Sequence, residues 1–535
     1  MVNFFKYFFK IILFIVIKEI NQIIIYFKTM SQDIKNIICI GAGYVGSITM
    51  TIFANYHREI NFYVYDVYKK LIDKWNAVTD EKSLPIVEPS LYEYFRKVWK
   101  QNLFFTDNLS DEIIRNSDVI FVCVNTPSLT NCKYGTDISF DELSRILNRG
   151  IELSMDNVYK CVKNLTKRII SLDNGNEKMR NKIIIQKSTV AIKTLENLYN
   201  IIHETFKEEK VNLSNEEIDN KISLLNIPEF LAEGCAVKNL IKPDRVVIGH
   251  LRDNLQSKNA ADKIKNFYLS FLPEKKIIEL DSISSEMTKL VSNAFLAQRI
   301  SSINSISELC EKTNSNIHNI SKSVGSDKRI GKVYLKASMG FGGSCFKKDV
   351  LSLIFLFSNM NLNFQSNYWS QVLLMNEYQR LRICKKILDS SKGKPISILG
   401  LAFKGDIGDV RCANSIFLLS YLLNNNVKVK LFDPFSTIED IQNELKMYDD
   451  ENLTKYHYDD LIIYRNMYEC AKDCSVVAFC NDHSIFKETN LKQLSEIMDE
   501  EEQFIFDMYD NFNLEELKKE KFKIFKLGEF DNTTY

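Results

Sequence analysis

Short apolar runs alternate along this chain with longer stretches whose apolar positions recur at helical spacing. Between residue 36 and about 280 the runs at 37–40, 62–65, 118–124, 182–186 and 245–249 predict buried strands separated by helices. That alternation is what an α/β, doubly wound parallel sheet requires. Two polar stretches break the rhythm, 139–155 and a charged, loop-like 204–222, and both are expected to be surface excursions. Ser284-Ser285-Glu286 reads as a helix start, with apolar residues at 287, 290, 291, 294 and 295 behind it. The helical pattern runs to about residue 390. The strand rhythm then restarts at 396–399, 427–432, 475–480, 503–507 and 522–527, which predicts a second Rossmann-like domain. The expected organisation is a leader at 1–35, a first α/β domain at 36–280, a helical segment at 281–390 and a second α/β domain at 391–535.

The leader changes this picture little. Residues 4–27 are rich in Phe and Ile, but Lys6, Lys10, Lys18 and Glu19 interrupt them, and the longest apolar run is Ile11–Ile17. A spanning helix needs about twenty apolar residues, so a membrane segment is not expected. We read 1–29 as extraneous or mobile, with Met30 as the start before the first strand; a signal peptide is the alternative, although no small-residue cleavage site follows. Lys plus Arg and Asp plus Glu each total 69, so no net field points to nucleic acid or an anionic membrane. The 12 cysteines lack paired CxxC spacing, and Cys39, Cys123 and Cys480 lie within apolar runs. They are expected to be core thiols in a reducing, cytoplasmic compartment, with neither disulfides nor a metal site.

Two motifs carry chemistry. Ile37-Ile38-Cys39-Ile40 runs into Gly41-Ala42-Gly43-Tyr44-Val45-Gly46 and then into a small, apolar helix. In such a turn the first glycine allows the bend, the second admits a pyrophosphate and the third lets helix and sheet pack. Asp66 ends the next strand twenty residues past Gly46, where a carboxylate binds ribose hydroxyls and repels a 2′-phosphate, so the cofactor is NAD rather than NADP. The second motif is Phe341-Gly342-Gly343-Ser344-Cys345-Phe346-Lys347-Lys348-Asp349. A thiol at a helix N-terminus beside lysines should have a lowered pKa and act as a nucleophile. Asp349, four residues on, would share its helical face and could hold water or move a proton. A dinucleotide site together with an activated cysteine suggests oxidation through a thiohemiacetal and a thioester.

Beyond these, GAGYVG at 41–46, LPIVEP at 84–89, VNTP at 124–127, KSTV at 187–190, PEFLAEG at 228–234, KPDRV at 242–246, NAFLAQRISSINS at 293–305, FGGSCFKKD at 341–349 and AFKGDIGDVR at 402–411 follow one another in a fixed order. Through them the chain resembles the UDP-glucose/GDP-mannose dehydrogenase family from about residue 36 onward. The resemblance implies two Rossmann-like doubly wound domains joined by a long central helix that builds a homodimer, the second domain helping to bind UDP. It also implies an NAD-dependent enzyme that oxidises UDP-glucose to UDP-glucuronate with two NAD per turnover.

By the same resemblance Lys289 and Asn293 hold the reacting hydroxyl and later the oxyanion, Glu229 assists thioester hydrolysis, and Thr189 reaches the catalytic water and cofactor. Gly41, Gly43, Tyr44, Val45, Gly46, Asp66, Thr126, Glu233 and Arg411 would bind the cofactor. Phe230, Leu231, Lys336, Phe341, Gly342, Phe403 and Lys404 would bind the sugar nucleotide, and Arg329 would reach across the dimer to the neighbour's substrate. The chain departs from the family pattern at Ile227, where Asn is usual, and at Asn481-Asp482, where Thr-Glu is usual. It departs again at Met508-Tyr509, where Gly-Arg is usual. The missing arginine implies weaker substrate binding unless Lys518, Lys519 or Lys521 replaces it. A sibling enzyme acting on GDP-mannose or a UDP-amino sugar, and a nucleotide-binding scaffold without catalysis, remain the alternatives.

Overall fold

A computed structural model describes residues 34–128, 138–173, 181–446, 448 and 461–529. The leader expectation over 1–33, and Cys132, lie outside the described residues. The chain forms two compact units, one of the residues up to Pro127 with Leu153–Lys289, the other of Ser128–Glu152 with the residues from Leu290 on.

The first unit is built on eight strands: β1 (Asn36–Ile40), β2 (Asn61–Tyr65), β3 (Leu103–Thr106), β4 (Val119–Val122), β5 (Lys182–Gln186), β6 (Ile222–Asn226), β7 (Val246–His250) and β8 (Ile277–Asp281). Their order is β3-β2-β1-β4-β5-β6-β7-β8. β4 and residues 183–185 of β5 are buried throughout, which is why they read as unbroken apolar runs rather than alternating ones. From β3 to β6 the pairing is parallel in the dinucleotide-fold order. The expectation of a wholly parallel sheet fails at β7, which pairs antiparallel to β6 with Asn226 opposite Gly249. The only helix between them, Ala236–Ile241, has 6 residues; at about 1.5 Å per residue it spans roughly half a five-residue strand and cannot carry the chain back along the sheet.

The 204–222 stretch is not a loop. Helix Thr194–Glu208 runs through its start, and helix Asn215–Lys221 follows behind a capping box of Ser214 and Glu217, burying Ile218. Ser-x-x-Glu ahead of an apolar position was the sequence signal for that helix.

In the second unit β9 (Ile396–Leu399), β10 (Val429–Phe432), β11 (Val476–Phe479), β12 (Phe504–Asp507) and β13 (Lys523–Lys526) form a parallel sheet in the order β10-β9-β11-β12-β13. This is the doubly wound 2-1-3-4-5 order, in which the strands stay parallel and the strand order reverses between β9 and β11. Helices Phe346–Asn359 and Asn363–Ser391 and the latter part of helix Ser282–Thr313 precede it. The 139–155 expectation is corrected here. Residues 140–149 form a helix capped by the Ser139 hydroxyl, and Leu143, Leu147 and Ile151 are buried in one cluster with Val350, Leu351, Ile354 and Trp369. Its apolar spacing was present in the sequence, hidden among charges that lie on the outer face.

Candidate functional site

The turn after β1 has the shape the glycines predict. Gly41 has φ of 114°, and a Cβ there would lie 2.4 Å from the Cys123 carbonyl oxygen. A Cβ on Gly46 would lie 2.1 Å from the Gly41 carbonyl oxygen, whereas one on Gly43 would meet nothing within 4 Å. Two glycines are thus demanded by close packing and the third leaves open space where helix Tyr44–Tyr56 begins with no side-chain cap. Free helix N-terminal amides facing a cleared approach suit a pyrophosphate. The Asp66 carboxylate reaches the same turn, accepting from the Ala42 amide at 2.9 Å and the Tyr68 amide at 2.9 Å. These residues fit NAD.

Glu88, in the LPIVEP segment, was assigned no role from sequence. It is 3% exposed and accepts from the Tyr44 hydroxyl and from the Gly234 amide at 2.8 Å. It therefore ties the glycine turn to the loop of Glu229 and Glu233. Burial and the Glu88 carboxylate raise the Tyr44 phenol far above its ordinary value, so Tyr44 stays a donor. Thr126 donates its hydroxyl to the Thr189 carbonyl at 2.7 Å, and Ser188 donates to the Val124 carbonyl at 2.6 Å. The VNTP and KSTV segments are thereby joined.

Glu229 is held on both oxygens. Its Oε1 accepts from the amides of Phe230 at 2.7 Å and Leu231 at 3.1 Å, and its Oε2 lies 2.5 Å from Lys187 Nζ. Lys187 is 3% exposed. Burial works to lower its pKa, but the Glu229 carboxylate beside it more than offsets this, and the net shift is upward. Sequence reasoning gave Lys187 no part, since a buried pair is visible only once the two strands' ends meet. Phe230 carries the Arg245 guanidinium over its ring at 4.1 Å and Lys289 Nζ at 5.6 Å, which places a largely buried Lys289 beside the Glu229 loop.

Asn293 follows Lys289 by one turn in helix Ser282–Thr313. In the second unit its side chain donates to Asp349 Oδ2 at 2.6 Å, and both residues are buried. Cys345 is the N-cap of helix Phe346–Asn359; it is exposed, and the Asp349 amide donates to its carbonyl at 2.9 Å. The expected thiol and carboxylate spacing is therefore present, with the thiol open to solvent and the acid enclosed.

The glycines before Cys345 lie against the AFKGDIGDVR segment. A Cβ on Gly342 would be 2.7 Å from the Cys412 carbonyl oxygen, one on Gly343 would be 3.1 Å from the Phe403 ring, and the Gly343 amide donates to the Arg411 carbonyl at 3.1 Å. Asn376, unremarked in the sequence, brackets Phe341 by accepting from its amide at 2.8 Å and donating to its carbonyl at 3.2 Å. Phe403 thus packs against the glycines of the thiol loop, with Lys404 next to it in the same segment. Arg411 is engaged by Asp409 and Arg329 by Asp327. Arg329 is 89% exposed and Lys336 is exposed.

Near β12 the Asp507 carboxylate accepts from the amides of Asn511 and Phe512 at 2.9 and 3.1 Å. Met508 is 1% exposed within the core, so placing the family's Gly-Arg here would carve a cavity as well as add a charge. Lys518, Lys519 and Lys521 are exposed. The buried Lys526 instead supplies positive charge at this edge, donating to Asp510 at 2.6 Å and to the Phe512 carbonyl at 2.7 Å. Among the described residues His318, Asp510 and Glu529 come close enough to hold a metal ion. The Lys526 ammonium already serves both carboxylates, Asp510 at 2.6 Å and Glu529 at 3.6 Å.

Glu286 has no sequence-assigned role either. It is 1% exposed, and burial raises its carboxyl from 4.5 to about 7, against the lowering pull of the Leu195 and Lys193 amides. A carboxyl held higher in the folded than in the unfolded chain contributes stability fully below the unfolded value and loses it as pH rises through the folded one. Between pH 4.5 and 7.5 the wild type should lose about 3 kcal/mol from this group. Denaturation at several pH values should give a flatter profile for Glu286→Gln over that window.

The chain is similar to known proteins over most of its length. Residues 35–271 match the NAD binding domain of the UDP-glucose/GDP-mannose dehydrogenase family, 283–378 its central domain and 397–513 its UDP binding domain. The UDP-glucose 6-dehydrogenases of Pongo abelii and Gallus gallus are each 37% identical over 482 residues, 89% of either chain. UDP-glucose 6-dehydrogenase 4 of Oryza sativa subsp. japonica is 34% identical over 510 residues, 92% of this chain and 96% of its own. Two solved structures share the fold. A UDP-glucose dehydrogenase from the hyperthermophilic archaeon Pyrobaculum islandicum has a TM-score of 0.71 at 22% identity, covering 93% of this chain and 98% of its own. A UDP-D-ManNAc dehydrogenase from Pyrococcus horikoshii has a TM-score of 0.67 at 19% identity, covering 93% and 100%. With a glycine turn in one unit, an exposed cysteine at a helix N-terminus in the other, and all three family domains in sequence, the chain belongs to the UDP-glucose/GDP-mannose dehydrogenase family.

Proposed function

We propose that this chain is an NAD-dependent enzyme that oxidises the primary alcohol of UDP-glucose to the carboxylate of UDP-glucuronate. The observation that carries the reading is the exposed Cys345 at a helix N-terminus, one turn before the Asn293-bound Asp349. The alcohol loses a hydride and a proton, and the Cys345 thiolate adds to the resulting aldehyde carbon. The thiohemiacetal so formed loses a second hydride and proton to give a thioester. Water then attacks the thioester carbon and releases the thiolate. Bound NAD supplies the hydride acceptor for both oxidations, held by Gly41, Gly43, Tyr44, Val45, Gly46, Asp66, Thr126, Glu233 and, by resemblance, Arg411. Lys289 and Asn293 stabilise the developing oxyanion, because a cation and an amide donor lower the energy of negative charge on oxygen. Asp349, enclosed and hydrogen-bonded to Asn293, moves protons, and Thr189 and Glu229 direct the hydrolytic water.

Phe230, Leu231, Lys336, Phe341, Gly342, Phe403 and Lys404 take the sugar nucleotide. The UDP-glucose 6-dehydrogenase relatives, at 34% identity and above, favour glucose over an amino sugar. Helix Ser282–Thr313 exposes Phe295, Ile306 and Leu309. Positions 295, 306 and 309 fall on one helical face, an apolar strip that suits a homodimer, with Arg329 offered to the neighbour's substrate. None of the helices among the described residues is long and apolar enough to cross a membrane, and a cytoplasmic enzyme suits the free thiols. Asp66 sets the cofactor: catalytic efficiency with NADP should be about a hundredfold below that with NAD, since a carboxylate beside a 2′-phosphate costs roughly 2.7 kcal/mol. Steady-state kinetics with both cofactors checks this, and equal efficiencies would contradict it.

A further inference from the structure

The segment between β5 and helix Thr194–Glu208 contains Thr189, and its two ends are fixed in different ways. At its start Lys187 pairs with Glu229, and the Thr189 carbonyl accepts from Thr126. At its end the helix begins without a local cap: Lys193 precedes it at φ of 70°, and no side chain of that residue bonds the first turn. The missing cap comes from far along the chain. The Lys193 amide donates to Glu286 Oε2 at 2.7 Å and the Leu195 amide donates to Glu286 Oε1 at 2.8 Å. An acceptor with negative character at a helix N-terminus satisfies amides that otherwise lack partners and suits the helix dipole.

The other side of Glu286 is equally constrained. Ser285 lies 3.0 Å from the Asn226 amide group, and a Cβ on Gly249 would sit 2.4 Å from the Ser285 Cβ, so only glycine there lets the helix seat so closely. Lys289 follows Glu286 by three residues on the same helix, close to one turn, so its approach to Phe230 is set by the same anchorage.

We infer that Glu286 is a positioning residue for the reaction, joining the Thr189 segment to the helix that carries Lys289 so that the two hold one fixed register. This rests on the roles proposed above for Thr189 and Lys289. The role assigned to Glu286 is indirect, through the residues it anchors. Glu286→Gln preserves volume and one acceptor but turns an NH2 group toward one of the two amides.

The test combines amide hydrogen exchange with kinetics on the full-length enzyme. In Glu286→Gln, peptides covering 187–195 should exchange at least tenfold faster while helix Ser282–Thr313 keeps its protection. The value of kcat should fall at least tenfold, with KM for UDP-glucose within twofold of wild type. Glu286→Asp, which keeps the charge but withdraws it by one methylene, should show the same pattern and serves if the Gln variant does not fold. Unchanged exchange, or faster exchange with unchanged kcat, would overturn the inference, as would protection lost equally from both helices. Thr189→Ala separates the inference from its premise. Full activity in that variant would remove the role given to Thr189 and with it the catalytic half of the inference, whereas low activity there beside a fully active Glu286→Gln would refute the inference alone.

Discussion

Cys345→Ala will lower net UDP-glucuronate formation by about 10⁴-fold or more while leaving NAD affinity within about twofold of wild type. Cys345 sits at the N-terminus of helix Phe346–Asn359 in the second unit, whereas the glycine turn and Asp66 belong to the first. Removing the nucleophile deletes the bond that retains the aldehyde and therefore every step after it. It does not disturb the packing that shapes the cofactor turn, which depends on Gly41 and Gly46 against backbone. Alanine is smaller than cysteine and the site is exposed, so stability should change little. Titration of NAD by fluorescence and product analysis with UDP-glucose measure the two halves independently. Near-normal acid output from this variant would exclude the covalent route.

Lys187→Met should be the most destabilising single change at the site. It strands the Glu229 carboxylate, whose Oε2 otherwise lies 2.5 Å from a 3% exposed ammonium. Breaking one side of a buried ion pair costs about 3–5 kcal/mol, because the remaining charge is left in a poorly solvated place. The apparent Tm should drop on the order of 10 °C. Glu229→Gln on top of Lys187→Met should recover most of that loss, since no lone charge then remains, while hydrolysis of the thioester stays impaired. A double-mutant cycle by thermal denaturation gives the answer: additive losses would mean that the pair is not coupled.

Much of this was legible in the sequence, for identifiable reasons. Gly41 and Gly46 are required by local sterics that a short motif encodes, and β4 and β11 announce themselves as unbroken apolar runs because they are buried throughout. Cys345 and Asp349 were legible because helical periodicity fixes their spacing. Glu88, Lys187 and Glu286 were not, because each is a buried polar group whose partner lies far along the chain, and nothing local marks it. The 140–149 helix was misread since its charges outnumber Leu143 and Leu147, the residues that seat it. The reversal at β7 depends on what a six-residue helix can span, a matter of length rather than composition.

The central claim is a four-electron oxidation carried on Cys345. Complete conversion of a limiting, known amount of UDP-glucose with excess NAD, read at the NADH absorbance and by the product's mass, tests it most directly. Two NADH per UDP-glucose consumed, with UDP-glucuronate as product and no free aldehyde, is the predicted result. One NADH per sugar with a released aldehyde, or no NADH at all, would contradict it.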